Sequence, residues 1–400
     1  MRRKTIKTTR PWCTRGVVAI GLASLLSDIS HEMATAILPA FLVAIGGSAA
    51  ALGLVEGVAD FFSSAAKLAA GYFGDRTGRK KYAAGAGYVI TAVAKGSMAL
   101  ATIWPHILLA RTAGWIGRGL RSPLRDALLS QQVSAEHFGK AYGLERALDS
   151  AGAVIGPLVT VCLLWLLVPL RTIFLVTLVP GLAAAWLIVW GVRERPVAAI
   201  SRRRRPAPLS GPFARFLLAV GLFGCGDFSR TFLILWATAR QARLDHASGL
   251  TVPILLYVAY NLIASVSSYY SGRRSDRVGR KPVLAVGYLV GTAVSVAMAF
   301  DVHTLPVIML VFLGSGVYMG IQEAVERAAA ADLVPEAGRS FGFGVLATVN
   351  GLGDLAASAV VGLLWTYAGP GVAFGFSATL MALGTAVLLV GVRLPRQSWR

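Results

Sequence analysis

Charge is scarce in this chain of 400 residues: only 14% of the side chains are Asp, Glu, Lys or Arg, against 56% hydrophobic. Soluble domains carry nearer a quarter charged residues, so that class is excluded. Cysteine is scarcer still. Cys13, Cys162 and Cys225 are too few and too scattered for a disulfide framework or a CxxC metal knuckle. No G-x-S-x-G, HExxH or phosphate-cradling loop occurs, and no long soluble segment could carry one, which argues against an enzyme. Acidic residues are half as frequent as basic ones, leaving a net charge of +20. Those charges lie between apolar runs and not along one amphipathic face, so nucleic acid is not an expected partner.

Apolar runs are plentiful. Taking about twenty residues per crossing, spans fall at 16–45, 50–70, 82–101, 104–130, 139–168 and 171–192, then at 212–238, 248–271, 282–301, 304–332, 338–367 and 370–392. The basic start, residues 1–15, runs into a full-length span with no cleavage pattern and reads as an uncleaved first helix. Connections on one side carry only Arg171, Arg240 and Arg243 as basic residues. The other side holds Arg76, Arg79, Lys80 and Lys81, Arg202 to Arg205, Arg273, Arg274, Arg277, Arg280 and Lys281, together with both termini. By the positive-inside rule that side, and both ends of the chain, are expected in the cytoplasm. Residues 193–211 combine prolines with an arginine block and read as a linker between a bundle at 16–192 and a second at 212–392, with a tail at 393–400.

The halves repeat one another. GYFGDRTGRK begins at Gly71 and GRRSDRVGRK at Gly272, so Gly71, Asp75, Arg76, Gly78, Arg79 and Lys80 match Gly272, Asp276, Arg277, Gly279, Arg280 and Lys281 at an offset of 201. The same offset carries Gly119 onto Gly320 and Gly152 onto Gly353. A single register held over several helices points to a duplicated six-helix unit of parallel topology. In each decapeptide the glycines are expected to end a helix and allow a tight turn.

These decapeptides resemble the loop motif of the major facilitator superfamily, and span count, loop polarity, linker and repeat extend the resemblance over the whole chain. It implies an all-α integral membrane fold of 12 transmembrane helices in two pseudo-symmetric six-helix bundles. It further implies a cavity lined by spans 1, 4, 7 and 10, alternating access by rocking, and a role for the decapeptides in gating. Arg111 to Gly114 is similar to the helix 4 motif of proton antiporters. Gly152, Gly156 and Pro157 are similar to their helix 5 motif, although Leu158, Val159 and Thr160 stand where that motif continues to a glycine pair.

Ionisable side chains at membrane depth are costly and mark candidate sites. Asp28, His31 and Glu32 span about 100° of arc on span 1 and form one polar stripe able to address one ligand or one proton relay. Arg111 on span 4 is expected to pair with a carboxylate of span 1 or 2. Asp149, Asp227, Arg230 and Glu323 complete the candidate substrate- or proton-binding set. Arg125, Asp126, Glu145, Arg146 and Glu326 are expected to form ion pairs that latch the halves on the inside. The expected function is secondary transport in a bacterial inner membrane by a functional monomer, as proton-coupled efflux of a small organic compound. The proton gradient supplies the energy and no cofactor takes part. Two alternatives stand beside it: a transporter-like sensor or scaffold, and a divalent metal exporter. The latter would use Asp28, His31, Cys225 and Asp227, a set that resembles the site of ferroportin-type members.

Overall fold

The computed structural model describes residues 13–77, 80–134, 137–194, 211–244, 249–300, 304–334 and 339–392. The basic N-terminal residues, the arginine-rich linker and the C-terminal tail of the sequence reading lie outside these, apart from their edges. All regular structure in them is helical. In the first half the helices are α1 (Arg15–Ala44), α2 (Ala49–Thr77), α3 (Lys80–Ser97), α4 (Trp104–Gln132), α5 (Phe138–Trp165) and α6 (Leu170–Gly191). The second half holds α7, in two pieces (Gly211–Gly224 and Thr231–Leu244), α8 (Thr251–Val278), α9 (Arg280–Ala299), α10 (Leu305–Leu333), α11 (Arg339–Ala368) and α12 (Pro370–Gly391).

Among the described residues nine helices are long and apolar enough to cross a membrane. The remaining three depart for chemical reasons. α3 carries Lys80, Lys81 and Lys95, α4 carries four arginines, and each piece of α7 has only 14 residues. Span 7 is therefore not the continuous helix expected over 212–238, because its backbone unwinds between Gly224 and Thr231. Helix starts follow local rules. The Thr14 hydroxyl accepts from the Val17 amide at 3.3 Å at the head of α1, and Pro105 and Pro306 sit in the first turns of α4 and α10.

The internal repeat is visible in packing. α4 crosses α2 where a Cβ on Gly119 would strike the Ser63 carbonyl, and α10 crosses α8 where a Cβ on Gly320 would strike the Ala264 carbonyl. Both pairs are related by the 201-residue offset, so the two halves make the same crossing at the same register. Between halves, α2 packs along α11 and α5 along α8.

The apolar core is divided unevenly. At the end away from the chain termini, one cluster runs through both halves, from Ile37, Phe41 and Phe174 to Phe228, Trp236, Tyr257 and Phe374. At the end that carries the termini there are two separate clusters. One belongs to the first half (Val17, Tyr88, Leu128, Ile188), the other to the second (Phe216, Leu284, Val325, Leu388). The protein is sealed at one end and parted at the other.

Candidate functional site

The α1 stripe sits where the sealed end meets the parted one, and its three ionisable groups go different ways. Asp28 turns to α4 and pairs with Arg118 at 3.1 Å. His31 also turns to α4, edge-on to Trp115 at 5.1 Å between ring centroids, and its Nε2 has no hydrogen-bond partner. Glu32 faces the other half: the Tyr257 hydroxyl of α8 donates to it at 2.6 Å, and Arg230, at the break in α7, lies 3.6 Å away. In this conformation the three groups of the stripe thus meet different partners. The arc between successive side chains places two of them within the first half and one across the interface.

Gly152 and Gly156 explain why α1 can sit so deep. A Cβ on Gly152 would come within 2.5 Å of the Leu25 carbonyl, and one on Gly156 within 2.7 Å of that of Ile29. Pro157 is buried in the next position of α5. This motif seats α5 against the turns of α1 that carry Asp28 and Glu32.

Arg111 is buried and pairs with Glu56 of α2, its Nη2 lying 3.0 and 3.1 Å from the two carboxylate oxygens, while its Nη1 donates to Thr35 at 3.3 Å. The expected span 2 partner is therefore a particular glutamate. About four turns further along α4, Arg125 contacts Glu145 at 2.7 Å, Asp126 at 3.0 Å and Asp149 at 3.9 Å. Ser24 donates to Glu145 at 2.8 Å. These groups close within the first half and latch nothing across it in this state. Arg146 reaches over, 3.6 Å from Asp149 and 3.7 Å from Glu323 of α10. Both Arg146 and Glu323 are half exposed (56% and 50%) although their helices cross the membrane. Charged groups at that depth face a hydrated space and not lipid. They line the parting between the halves.

The second half holds its carboxyl groups differently. Asp227 lies in the unwound segment of α7 and accepts from the Tyr318 hydroxyl at 2.8 Å. Glu326, expected in an ion pair, instead accepts from Tyr288 at 2.6 Å and from the Asn350 amide at 3.1 Å. Neutral donors can serve a carboxyl group in either protonation state, so such groups can exchange a proton without breaking an ion pair. Among the described residues no three His, Cys, Asp or Glu side chains gather into a possible metal site, and Cys225 is a free thiol. Asp28, His31, Cys225 and Asp227 are not assembled as a ligand set.

Of the two decapeptides, the side chains of Gly71 to Arg79 lie outside the described residues. Lys80 and Lys81 present backbone amides to the Glu194 carboxylate at 2.6 and 3.2 Å, which ties the start of α3 to the end of α6. In the second copy Gly272 does not end the helix. It stays inside α8, and the turn is made by Gly279 alone, at φ 96°. Asp276 pairs with Arg280, which also donates to Asp332 of α10 at 3.3 Å. Arg277 sits in the last turn of α8 and Lys281 bonds the Leu389 and Val392 carbonyls at 2.7 and 2.8 Å.

Tyr257, Tyr288, Tyr318 and Trp115 are the participants that the sequence reading missed. One signal was available, because the repeat offset sets Tyr257 on Glu56 and Asn261 on Asp60, polar upon polar.

Two helical bundles crossing a membrane, sealed together at one end and parted along a charged interface at the other, define a secondary transporter. The family model of the Major Facilitator Superfamily matches residues 20–256 and 225–400. The chain is 30% identical over 380 residues to an uncharacterized MFS-type transporter of Methanocaldococcus jannaschii, covering 94% of each. It is 25% identical over 301 residues to a probable 4-methylmuconolactone transporter of Cupriavidus pinatubonensis, covering 72% of this chain and 69% of that one. Among solved structures, the fold matches a nucleoside transporter, NupG (TM-score 0.78, 11% identity, 93% and 98% covered). It also matches a D-xylose-proton symporter (TM-score 0.76, 16% identity, 96% and 99% covered). The chain belongs to the Major Facilitator Superfamily.

Proposed function

We propose that this transporter exports a small, charged organic compound in exchange for protons across a bacterial inner membrane, with the parted end open to the cytoplasm. The observation that carries the reading is Glu32, a buried carboxylate of the first half held by Tyr257 and Arg230 of the second. Ionised, Glu32 ties the halves together at the sealed end. A proton arriving there removes its attraction for Arg230 and frees that end to open, which couples proton entry to the outward-facing state. Return of the proton to the cytoplasm restores the pair.

The parting presents both signs of charge, through Arg146, Asp149, Glu323 and Arg230, which suits a polar compound with an ionised group better than a lipophilic cation. The basic termini and loops support a cytoplasmic placement of the parted end. The glycine–proline motif of α5 resembles that of antiporters and supports export. The relative named for 4-methylmuconolactone supports a small organic cargo.

The test is reconstitution into liposomes loaded with a pH-sensitive dye and challenged with a panel of small organic acids and zwitterions. At least one compound should move against an imposed pH gradient with matching proton flow. Glu32→Gln should abolish the driven movement and keep downhill exchange. Compound movement without proton flow in the unaltered chain would refute the coupling.

A further inference from the structure

A second feature lies wholly inside the first half, away from the interface. Between α1, α3 and α4 a small cavity of ≈ 10 Å³ is bounded by His31, Thr91, Lys95, Arg111, Trp115 and Arg118, with Met98 and Gly114 closing it. That volume leaves room for one small particle. Three of the lining side chains are basic and none is a carboxylate.

The surrounding charges do not balance. Arg111 is matched by Glu56 and Arg118 by Asp28. Lys95, only 3% exposed, has no carboxylate within ion-pairing distance among the described residues. Its ammonium donates to the Ser30 hydroxyl at 2.7 Å, and that hydroxyl in turn donates to the Thr177 carbonyl at 2.8 Å. Arg121 behind it is stacked over Tyr88 at 4.1 Å and has two nitrogens without partners. Around the cavity itself, His31 Nε2, Arg111 Nε, Trp115 Nε1 and Arg118 Nη1 are all buried and lack hydrogen-bond partners. Arg111 and Arg118 both approach the Trp115 ring, each at 5.5 Å. Unanswered donors and surplus positive charge at membrane depth are both costly. One small particle that accepts hydrogen bonds and carries negative charge relieves both.

We infer that this cavity binds a single monatomic anion of chloride size, held by Lys95 and the unpaired faces of Arg111, Arg118 and Trp115. The ion would brace α1 against α3 and α4 immediately beside Asp28 and His31, so occupancy stabilises the first bundle. Site and inference are independent of the cargo and of proton coupling.

The test uses the full-length protein in detergent, melted in sodium gluconate with increasing sodium chloride or bromide at constant ionic strength. The melting temperature should rise by a few degrees and saturate with either halide. Lys95→Met, which removes the unmatched charge, should melt cooperatively and lose the halide-dependent rise. Crystals of the unaltered chain grown in bromide should show an anomalous peak beside Lys95 Nζ, a readout that stands even if the variant does not fold. A melting temperature indifferent to halide, a Lys95→Met protein with the same halide response, or a bromide map empty at this position would each overturn the inference and leave a water there.

Discussion

The two halves share a scaffold and differ in chemistry. At the 201-residue offset, Arg111 stands on Phe312, Arg118 on Met319, Lys95 on Val296, Glu56 on Tyr257, Asp28 on Ser229 and His31 on Phe232. The first half is knitted by the buried ion pair Arg111–Glu56 and the partly buried pair Arg118–Asp28. In the second half tyrosines donate to isolated carboxyl groups, Tyr318 to Asp227 and Tyr288 to Glu326. The helix crossings are nevertheless equivalent, as Gly119 and Gly320 show. Backbone packing is thus set by small residues that keep their register through the duplication, while charge is free to diverge around it. The divergence gives the halves separate tasks. One carries mostly paired charges, and the other carries carboxyl groups held by neutral partners.

The largest effect that would break this comparison is Arg111→Ala. It leaves Glu56 buried without a cation, which costs about 3–5 kcal/mol, seen as loss of folded yield and a lower melting temperature. Adding Glu56→Gln should recover part of the loss. At the matching position of the second half, Phe312→Ala opens an apolar cavity at a cost of about 3–5 kcal/mol, and Tyr257→Phe should recover none of it. Equal rescue in the two halves would dissolve the distinction between them.

A smaller effect sharpens the shared part of the comparison. Gly119→Ala and Gly320→Ala each push a Cβ into a neighbouring backbone carbonyl and should destabilise by about 1–3 kcal/mol. Their melting shifts should agree with each other. A shift in one alone would mean that the crossings are not equivalent.

The smallest stability effect falls on the loop between α8 and α9. Asp276 is 51% exposed and Arg280 keeps Asp332 when Asp276 is lost, so Asp276→Asn should change stability by less than about 1 kcal/mol. If the decapeptide gates, the same variant slows transport in liposomes while its melting curve stays put. Full transport activity would remove Asp276 from the mechanism.

Much of the fold was legible because hydropathy and loop charge report directly on membrane crossing. The break in α7 was not, since Gly224-Cys225-Gly226 passes as apolar in any hydropathy window. The glycine pair beside Asp227 was its only local trace. Candidate charges were legible for the same reason as the spans: Asp28, Glu32 and Arg111 stand out against lipid-compatible neighbours. Their pairing was less so. Helical periodicity places a side chain on a face but does not say which neighbour that face meets, so the separation of Glu32 from Asp28 and His31 awaited the packing of α4 and α8. Tyrosine partners stayed hidden because a tyrosine reads as an ordinary core aromatic until its hydroxyl is seen on a carboxylate.

The central claim is that Glu32 and Arg230 hold the sealed end shut and that a proton on Glu32 releases it. Leu167 and Tyr367 stand exposed (89% and 84%) at that end, one in each half, and can carry spin labels once Cys13, Cys162 and Cys225 are replaced by serine. The direct measurement is the label-to-label distance distribution by pulsed electron resonance as a function of pH, with and without Glu32→Gln. The account predicts a short distance at high pH that lengthens as pH falls, and in the variant a distribution that no longer changes with pH. A distribution unmoved by both pH and Glu32→Gln would contradict it.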